Sequence, residues 1–316
     1  APAKYPHPRY VGPELGAFDP RSVHDFNVTG GARALQLEEC GHGVSAIVRR
    51  VYVGGLSCAI KVPRTANDYT LIQREFQLMR SLADCKHIVH VLGWRRGIVM
   101  EYMPHSLLVF LNLILSFPGR RQLSRGQRVW IIRALLLALG ALHEKRYVHR
   151  DVKAENILVA VSRCPSCMPV GTYCEECRVQ SKLTDFADAV EIPQHCTWHP
   201  AGDLVGTRPY TAPEIEARLP FSYAADLWSV GVLAVELRNM SLPTEPKDVA
   251  IAQGYLPLRP DGATGGPVKL VTVERPKNRE TAPGLRKLID ACLQIDWRMR
   301  PTVAEALELI DNDFAE

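Results

Sequence analysis

The sequence predicts an α+β fold, in which a small strand-rich lobe precedes a larger helical lobe. Over residues 34–103 the apolar residues occur in short runs rich in valine and isoleucine, separated by glycines that suit tight turns. Beyond Pro104 the apolar residues recur mainly at the three- and four-residue spacing of helices. With 316 residues and 47% hydrophobic content, the chain can bury a core in each of two closely packed lobes.

One helix is predicted in the first lobe and four in the second. Residues 69–82 carry apolar side chains at helical spacing among the strands. Ser124 and Gln127 have the spacing of a capping box, and a long apolar helix follows them. Residues 254–281 are rich in glycine, proline and charge and are predicted to be a loop region. The other three helices of the second lobe are predicted over residues 224–238, 284–293 and 302–310.

Composition and charge argue against several classes of protein. The net charge is +4, from 38 Lys and Arg against 34 Asp and Glu, which does not indicate direct nucleic-acid binding. The most apolar stretches, residues 107–117 and 130–142, are shorter than the roughly 20 residues that cross a bilayer, so no membrane span is expected. The amino terminus lacks the apolar core of a secretory signal and the nine cysteines are odd in number. Reduced thiols and a cytoplasmic or nuclear location are therefore expected.

Four short motifs that could bind phosphate or Mg²⁺ lie in order along the chain. Glycines in residues 40–48 would let backbone N–H groups approach phosphate oxygens without side-chain obstruction. Aspartate and asparagine supply the hard oxygen ligands that Mg²⁺ requires. Singly the motifs are weak, because a glycine-rich turn is also typical of an ordinary hairpin. The remaining motifs are Ala59-Ile60-Lys61, His149-Arg150-Asp151-Val152-Lys153-Ala154-Glu155-Asn156 and Thr184-Asp185-Phe186-Ala187.

In this order the four motifs resemble those of the eukaryotic protein kinase family, over about residues 36–310. The resemblance implies a bilobal protein kinase fold with ATP, Mg²⁺ and a protein substrate as partners. Lys153, two residues past Asp151, resembles the serine/threonine branch of the family, as does Thr207 in the later segment 206–214. The irregular motifs would also suit a divergent viral member. Nothing in the sequence indicates an oligomeric state.

The resemblance also implies a division of the chain. Residues 1–30 form a proline-rich amino-terminal extension, residues 31–103 the smaller lobe, and residues 104–316 the larger lobe with a cysteine-rich insert at 160–181.

Catalytic and metal-binding roles follow from the resemblance. Asp151 corresponds to the residue that accepts or orients the proton of the substrate hydroxyl, and Lys153 to a cation that can contact the transferred phosphoryl group. Lys61 would contact the nucleotide phosphates and pair with Glu75 of the first-lobe helix. Asn156 and Asp185 correspond to the Mg²⁺ ligands.

The resemblance places the nucleotide between the lobes. The predicted contacts are the residues of the glycine-rich turn, the apolar walls of an adenine pocket, and the backbone groups of the segment that joins the lobes. These residues are Cys40, Gly41, Gly43, Val48, Ala59, Lys61, Met100, Glu101, Met103 and Leu158.

Between Asn156 and Asp185 the chain is longer than the family pattern, with 185 − 156 = 29 positions. The additional length contains two Cys-x-x-Cys pairs separated by six residues: Cys164 with Cys167, and Cys174 with Cys177. Four thiolates at such spacing can surround one structural Zn²⁺ in a closed tetrahedral site. Free thiols or a redox role are the alternatives.

Two substitutions leave an alternative function open. Ala46 and Ala187 replace glycines of the family pattern, which would suit a pseudokinase that binds nucleotide and partners without efficient catalysis. Retention of Asp151 and Asp185 favours an active enzyme instead. A small-molecule kinase of related fold is a third interpretation, which the substrate-docking segment at residues 206–214 disfavours.

The position of Asp203 suggests independence from loop phosphorylation. In many members of the family a phosphorylated residue four positions before the equivalent of Thr207 neutralises the arginine of the catalytic loop, here Arg150. A carboxylate at this position could form that charged contact permanently, although with less charge than a phosphate.

Overall fold

The computed structural model describes residues 38–43, 45–53, 56–116, 123–164, 167, 174, 176–239 and 283–311. The first part of the described chain is a five-stranded antiparallel sheet with one helix, and the second part is mainly helical. The α+β architecture expected from the sequence is therefore confirmed.

The sheet of the first lobe has the strand order β1-β2-β3-β5-β4. The turn from β4 to β5 passes very close to β3, since a Cβ atom on Gly97 would lie 2.2 Å from the carbonyl oxygen of Lys61. Only glycine permits that approach of two backbones. The strands are β1 (Glu38–His42), β2 (Ala46–Val53), β3 (Leu56–Pro63), β4 (Val91–Trp94) and β5 (Ile98–Glu101).

Helix α1 (Tyr69–Ser81) packs on this sheet through one apolar face. Ile72, Phe76 and Met79 recur at spacings of three and four and are buried, and the ring centroid of Phe76 lies 5.1 Å from that of Trp94 in β4. Glu75 lies on the same buried side, and it is the one charged residue there. A buried carboxylate requires a partner, and the Lys61 ammonium of β3 supplies it.

The second lobe is built around the long helix α3. Helices α5 and α7 pack against it, and α6 packs against both of those helices. The short strands of the lobe form one two-stranded and one three-stranded sheet. Its helices are α2 (Leu107–Ser116), α3 (Arg125–Glu144), α4 (Pro213–Glu216), α5 (Ala224–Asn239), α6 (Pro283–Cys292) and α7 (Val303–Asp311). Its strands are β6 (His105–Ser106), β7 (Tyr147–Val148), β8 (Ile157–Ser162), β9 (Arg178–Leu183) and β10 (Val190–Glu191).

Helix α3 begins with the predicted capping box. The Ser124 hydroxyl accepts from the Gln127 N–H at 3.2 Å, and the Gln127 side-chain oxygen accepts from the Ser124 N–H at 3.0 Å. A cap of this kind stabilises a helix by about 1 kcal/mol. Ile131, Ile132 and Leu139 are fully buried, so the helix forms the centre of the lobe.

Backbone hydrogen bonds also join the two lobes behind the cleft. The Leu183 N–H at the end of β9 donates to the His87 carbonyl at 2.8 Å, and the Val89 N–H donates to the Leu183 carbonyl at 3.0 Å. Leu183 is thus fixed to the segment that leads from α1 into β4.

The predicted helices agree with the structure to within two residues at either end. Helices α2 and α4 and strands β6, β7 and β10 were not predicted, because the second lobe was interpreted only as mainly helical. The extension at residues 1–30 and the loop region at 254–281 lie outside the described residues. In the described part of the chain, no helix is both long and apolar enough to cross a membrane.

Candidate active site

Three charged side chains meet between the lobes. The Lys61 ammonium lies 2.8 Å from Glu75 Oε1 and 2.7 Å from Asp185 Oδ1. Lys61 comes from β3, Glu75 from α1 and Asp185 from the segment after β9. The side chains of Lys61 and Glu75 are almost fully buried, whereas that of Asp185 is 40% exposed. The structure therefore brings the expected ion pair together and leaves Asp185 accessible from the cleft.

The charge states of this cluster follow from its contacts. Burial alone lowers the pKa of Lys61, but attraction to Glu75 and Asp185 outweighs burial and holds that pKa above its ordinary value. Burial raises the pKa of Asp185, and the Lys61 charge and hydrogen bond more than reverse this effect, so the pKa lies below its ordinary value. Lys61 is thus a cation and Asp185 an anion at neutral pH.

A buried carboxylate from α5 holds the segment that carries Asp151. Asp226 accepts from the backbone N–H groups of His149 and Arg150, both at 2.9 Å, and its carboxylate lies 2.8 Å from the His143 ring. Burial raises the pKa of Asp226, but these hydrogen bonds and the two histidines hold it below its ordinary value. Arg150 has φ 68°, a left-handed conformation that costs on the order of 1 kcal/mol and is maintained here by these contacts.

Both carboxylate oxygens of Asp151 are held by neighbouring side chains. Oδ1 accepts from the Thr207 hydroxyl at 2.9 Å, and Oδ2 accepts from the Asn156 amide at 2.9 Å. The Lys153 ammonium lies 2.8 Å from Oδ2 and donates to the Thr207 hydroxyl at 2.7 Å. Asp151 and the three side chains around it therefore form one hydrogen-bonded network, which fixes the direction of the Asp151 carboxylate.

In the segment from Asp185 to Ala187, the backbone strain is at Asp185. Asp185 has φ 63°, so the left-handed conformation falls on the aspartate and not on Ala187. The Phe186 N–H donates to Glu75 at 3.0 Å, and its buried ring packs against His149 with the ring centroids 5.0 Å apart. In this conformation Ala187 does not need the freedom that glycine would provide.

Half of the ten residues predicted to contact the nucleotide share one face of the first-lobe sheet. Gly41 pairs with Val48, and Val48 pairs with Lys61, so these positions form one row across β1, β2 and β3. Ala59 and Met100 are directly opposite in β3 and β5, and Ala59 is two residues from Lys61. Because alternate residues of a strand face the same side, the register places all five on the face that carries Lys61.

The remaining predicted nucleotide contacts border this face. Cys40 is an exposed residue at an irregularity of β1, and the Gly43 N–H donates to the Ala46 carbonyl at 2.9 Å in the turn before β2. Glu101 ends β5, Met103 follows it as a buried residue, and Leu158 lies in β8 of the second lobe.

The sequence interpretation missed one charged contact beside the cleft. Glu101 Oε1 accepts from the His90 N–H at 2.7 Å and forms a short ion pair with the Lys182 ammonium of β9. Lys182 is buried, although a lysine in a strand is usually solvated. No local pattern identifies this pair, because its members lie 81 residues apart.

The chain on both sides of Thr207 is fixed to the second lobe. Gly206 has φ 95°, and a Cβ atom there would lie 2.7 Å from the Arg150 carbonyl oxygen, so this position requires glycine. The Tyr210 hydroxyl donates to the buried carboxylate of Glu236 in α5. These contacts hold Thr207 against Asp151.

Arg150 is surrounded by acidic groups from three segments. Its Nε donates to the Asp188 carbonyl oxygen at 2.7 Å. Burial lowers the pKa of Arg150, while attraction to Asp188, Asp226 and Asp203 opposes that effect. Asp203 is an exposed residue, and it contributes to the field at Arg150 from the segment between β10 and α4.

A second cluster lies at the far end of the hairpin that β8 and β9 form. The four Sγ atoms of Cys164, Cys167, Cys174 and Cys177 lie within 4.8 Å of one another. Each Cys-x-x-Cys pair forms a turn, in which the second N–H donates to the first carbonyl at 3.0 or 3.1 Å. The thiols of Cys164 and Cys174 are 3.3 Å apart, and none of the four cysteines forms a disulfide. The structure therefore brings the four predicted ligands together.

Comparison with known proteins extends over most of the chain. The family model described as protein kinase domain matches residues 35–310. The chain is 26% identical over 278 residues to the calcium/calmodulin-dependent protein kinase type II of Caenorhabditis briggsae, covering 86% of this chain and 47% of that protein.

Two fungal proteins are similar to the same region. The chain is 30% identical over 274 residues to the MAP kinase kinase MKK1/SSP32 of Saccharomyces cerevisiae, with 83% of this chain and 49% of that protein covered. It is 28% identical over 315 residues to the serine/threonine-protein kinase pakA of Talaromyces marneffei, with 94% and 42% covered. The chain thus spans less than half the length of each of these relatives.

Proposed function

The chain belongs to the protein kinase domain family, and we propose that it is an active kinase that transfers the γ-phosphoryl group of ATP to serine or threonine hydroxyls of proteins. The observation that carries this proposal is the Asp151 carboxylate, whose two oxygens are held by Thr207, Asn156 and Lys153. A carboxylate fixed in this way can orient a substrate hydroxyl and accept its proton as the oxygen attacks phosphorus.

Lys153 and Lys61 would each stabilise a different part of the ATP phosphates during transfer. The Lys153 ammonium, next to Asp151, would stabilise negative charge on the transferred group. Lys61 is held by Glu75 and Asp185, and it would contact the phosphates that remain with the nucleotide. Positions fixed before the substrate binds avoid a loss of conformational freedom during the reaction.

The donor set beside Lys61 fits Mg²⁺, and we assign Asn156 and Asp185 as its ligands. The Asn156 amide nitrogen donates to the backbone oxygen and carboxylate of Asp151, so its amide oxygen is the atom suited to a metal. Asp185 supplies a partly exposed carboxylate. Both are hard oxygen ligands of the kind that Mg²⁺ prefers. When bound, Mg²⁺ would offset the negative charge of the ATP phosphates.

Half of the ten residues expected to contact the nucleotide share the sheet face that carries Lys61, and the other half border that face. Val48, Ala59 and Met100 would contact the adenine ring, and the backbone at Glu101 and Met103 would hydrogen-bond to it. We propose that residues 31–103 form the smaller lobe and residues 104–316 the larger lobe. Residues 1–30 would then be an amino-terminal extension, and residues 160–181 the cysteine-rich insert of the larger lobe.

We also propose that the four clustered cysteines bind one structural Zn²⁺. Four sulfurs at the corners of a tetrahedron about 2.3 Å from zinc lie about 3.8 Å apart. Two of the sulfur pairs are 3.3 and 3.8 Å apart, and all four atoms lie within 4.8 Å. Elemental analysis of the reduced, folded chain is expected to find one zinc per molecule, and a zinc-free folded protein would contradict the site.

A radiolabel assay on a peptide library tests the kinase proposal. The wild type is expected to label peptides that contain serine or threonine, and Asp151→Asn is expected to lose about 100-fold or more of this activity while it still binds nucleotide. Equal labelling by wild type and variant would contradict the role of Asp151. Nucleotide binding without labelling by the wild type would support the pseudokinase alternative.

A further inference from the structure

The hairpin of β8 and β9 connects the two clusters of metal-binding side chains. The strands pair in register from Ile157 with Leu183 to Ser162 with Arg178. At one end, Asn156 directly precedes β8 and the Thr184 N–H donates to the Asn156 carbonyl at 3.0 Å, one residue before Asp185. At the other end, the four cysteines lie just beyond the last pair.

The connection between the two strands is too long to fix their register. From Ser162 to Arg178 there are 178 − 162 − 1 = 15 intervening residues. Short hairpin loops set register through the geometry of the turn, whereas a long loop does not. A shift of one residue would move Asp185 by about 3.3 Å relative to Asn156 and reverse the faces of β9.

The clustered cysteines are positioned to supply this constraint. Cys164 lies two residues after β8 and Cys177 directly before β9. A metal ion bound by both cysteines would therefore connect the two strands next to their last residue pair. The loop is then closed by four metal–sulfur bonds, whatever the conformation of its remaining residues.

Gln127 fixes the same cluster to the core of the lobe. Its side-chain nitrogen donates to the Cys174 carbonyl at 2.9 Å and to the Cys177 carbonyl at 2.8 Å. Its side-chain oxygen accepts from the Ser124 N–H in the capping box. One side chain thus joins the amino-terminal end of α3 to the second Cys-x-x-Cys turn, and α3 also packs against β9.

We propose that zinc bound by the four cysteines, held against α3 by Gln127, locks the register of β8 and β9 and thereby sets the spacing of Asn156 and Asp185. Gln127 is a positioning residue in this arrangement, and it acts through the hairpin on the Mg²⁺ ligands. The inference rests on the zinc and magnesium sites of the proposed function.

Removal of zinc from the full chain is the first test. The protein is treated with a chelator selective for zinc over magnesium, and the binding of a fluorescent ATP analogue is measured as a function of Mg²⁺ concentration. The Mg²⁺ concentration at half-saturation is expected to rise at least about threefold, and stoichiometric zinc is expected to restore it. An unchanged Mg²⁺ dependence in folded, zinc-free protein overturns the proposal.

Two matched variants keep the test decisive if zinc removal unfolds the chain. Gln127→Glu retains the oxygen that accepts from Ser124 but loses both donor bonds to the cysteine carbonyls. It is expected to release zinc about 10-fold faster, as for other residues that support metal ligands, and to raise the Mg²⁺ half-saturation. Ser124→Ala weakens the helix cap and leaves the Gln127 bonds to the cysteines in place.

The comparison separates a positioning role from a merely structural one. Ser124→Ala is expected to lower the thermal stability without changing zinc release or the Mg²⁺ dependence. If the two variants change zinc release and Mg²⁺ dependence equally, or if Gln127→Glu changes neither, the proposal is wrong. Because the readout is nucleotide binding, a catalytically inactive wild type would contradict the proposed kinase activity without affecting this result.

Discussion

The guanidinium of Arg300 and the carboxylate of Glu214 meet in two parallel hydrogen bonds of 2.7 and 2.8 Å, with neither side chain exposed to solvent. Arg300 also donates to the carbonyl oxygens of Gln294, Ala224 and Ile295. Every charge in this pair is therefore compensated, and the pair fixes α4, at the end of the segment that carries Thr207, to the helices behind it.

Breaking this pair on one side is expected to destabilise the protein strongly. Arg300→Met leaves the Glu214 carboxylate buried without its partner, at a cost of about 3–5 kcal/mol in the free energy of unfolding. The double variant Arg300→Met with Glu214→Gln removes both charges and is expected to be more stable than the single variant. Urea denaturation measures both values. A double variant that is no more stable than Arg300→Met would contradict the argument.

Removal of the Thr207 hydroxyl is expected to affect catalysis more than folding. Thr207→Val keeps the shape of the side chain but loses the bonds to Asp151 and Lys153, so kcat is expected to fall at least about tenfold with KM for ATP nearly unchanged. Thr207→Ser restores the hydroxyl and is expected to recover most of the activity. Steady-state kinetics with one peptide substrate distinguish the variants, and equal rates for valine and serine would rule out a role for the hydroxyl.

The buried carboxylate of Glu236 is expected to make stability depend on pH. Burial raises the pKa of Glu236 to about 7, although the Tyr210 hydrogen bond opposes this effect and Glu155 adds to it. The folded state therefore binds a proton more tightly than the unfolded state, in which the pKa is near 4.5. The stabilisation is complete below about pH 4.5 and is lost as the pH rises to about 7.

Glu236→Gln tests this dependence. The amide cannot ionise and can still accept from the Tyr210 hydroxyl, so the variant is expected to be more stable than the wild type at pH 8, by up to about 3 kcal/mol. Near pH 5 the difference is expected to be small. Thermal unfolding at pH 5 and pH 8 measures the difference in stability between the variant and the wild type. If that difference is the same at both pH values, Glu236 does not have a raised pKa.

Asp203 is expected to replace a phosphate near Arg150. Activity is therefore expected to survive phosphatase treatment of the purified chain, and Asp203→Asn is expected to reduce kcat about 3- to 10-fold by removing the charge. Thr197→Ala is the control, because the sequence leaves the Thr197 hydroxyl, in the same segment, as the alternative candidate for phosphorylation. Loss of activity on phosphatase treatment, or in Thr197→Ala alone, would refute this expectation.

The long helices were predictable because their signals are local. The capping boxes at Ser124 and at Thr302 with Glu305 lie within four consecutive residues, and the structure contains both. The residues expected around the nucleotide and the metal ions come from continuous motifs, and their assignment depended on a family resemblance in which each motif keeps its order along the chain.

The short strands and the contacts between distant segments were not predictable in this way. Strands β6, β7 and β10 contain two residues each, and they exist only because a partner strand lies beside them. Likewise, Gln127 was identified as part of a helix cap, but its two bonds to the cysteine turns connect positions 47 and 50 residues apart. Contacts of this kind depend on the assembled fold, and the local sequence around either partner does not contain them.

The two backbone hydrogen bonds of Leu183 determine how the cleft can open. They attach the end of β9 to the segment before β4, and Asp185 follows two residues later. A rotation of the small lobe that preserves these bonds must have its axis close to Leu183. Displacements then grow with distance from that axis, so they are small at Asp185 and larger at β1 and β2, on the side of the sheet opposite β4. We therefore expect β1 and β2 to move most when nucleotide enters or leaves, while Asp185, the proposed Mg²⁺ ligand, remains nearly stationary.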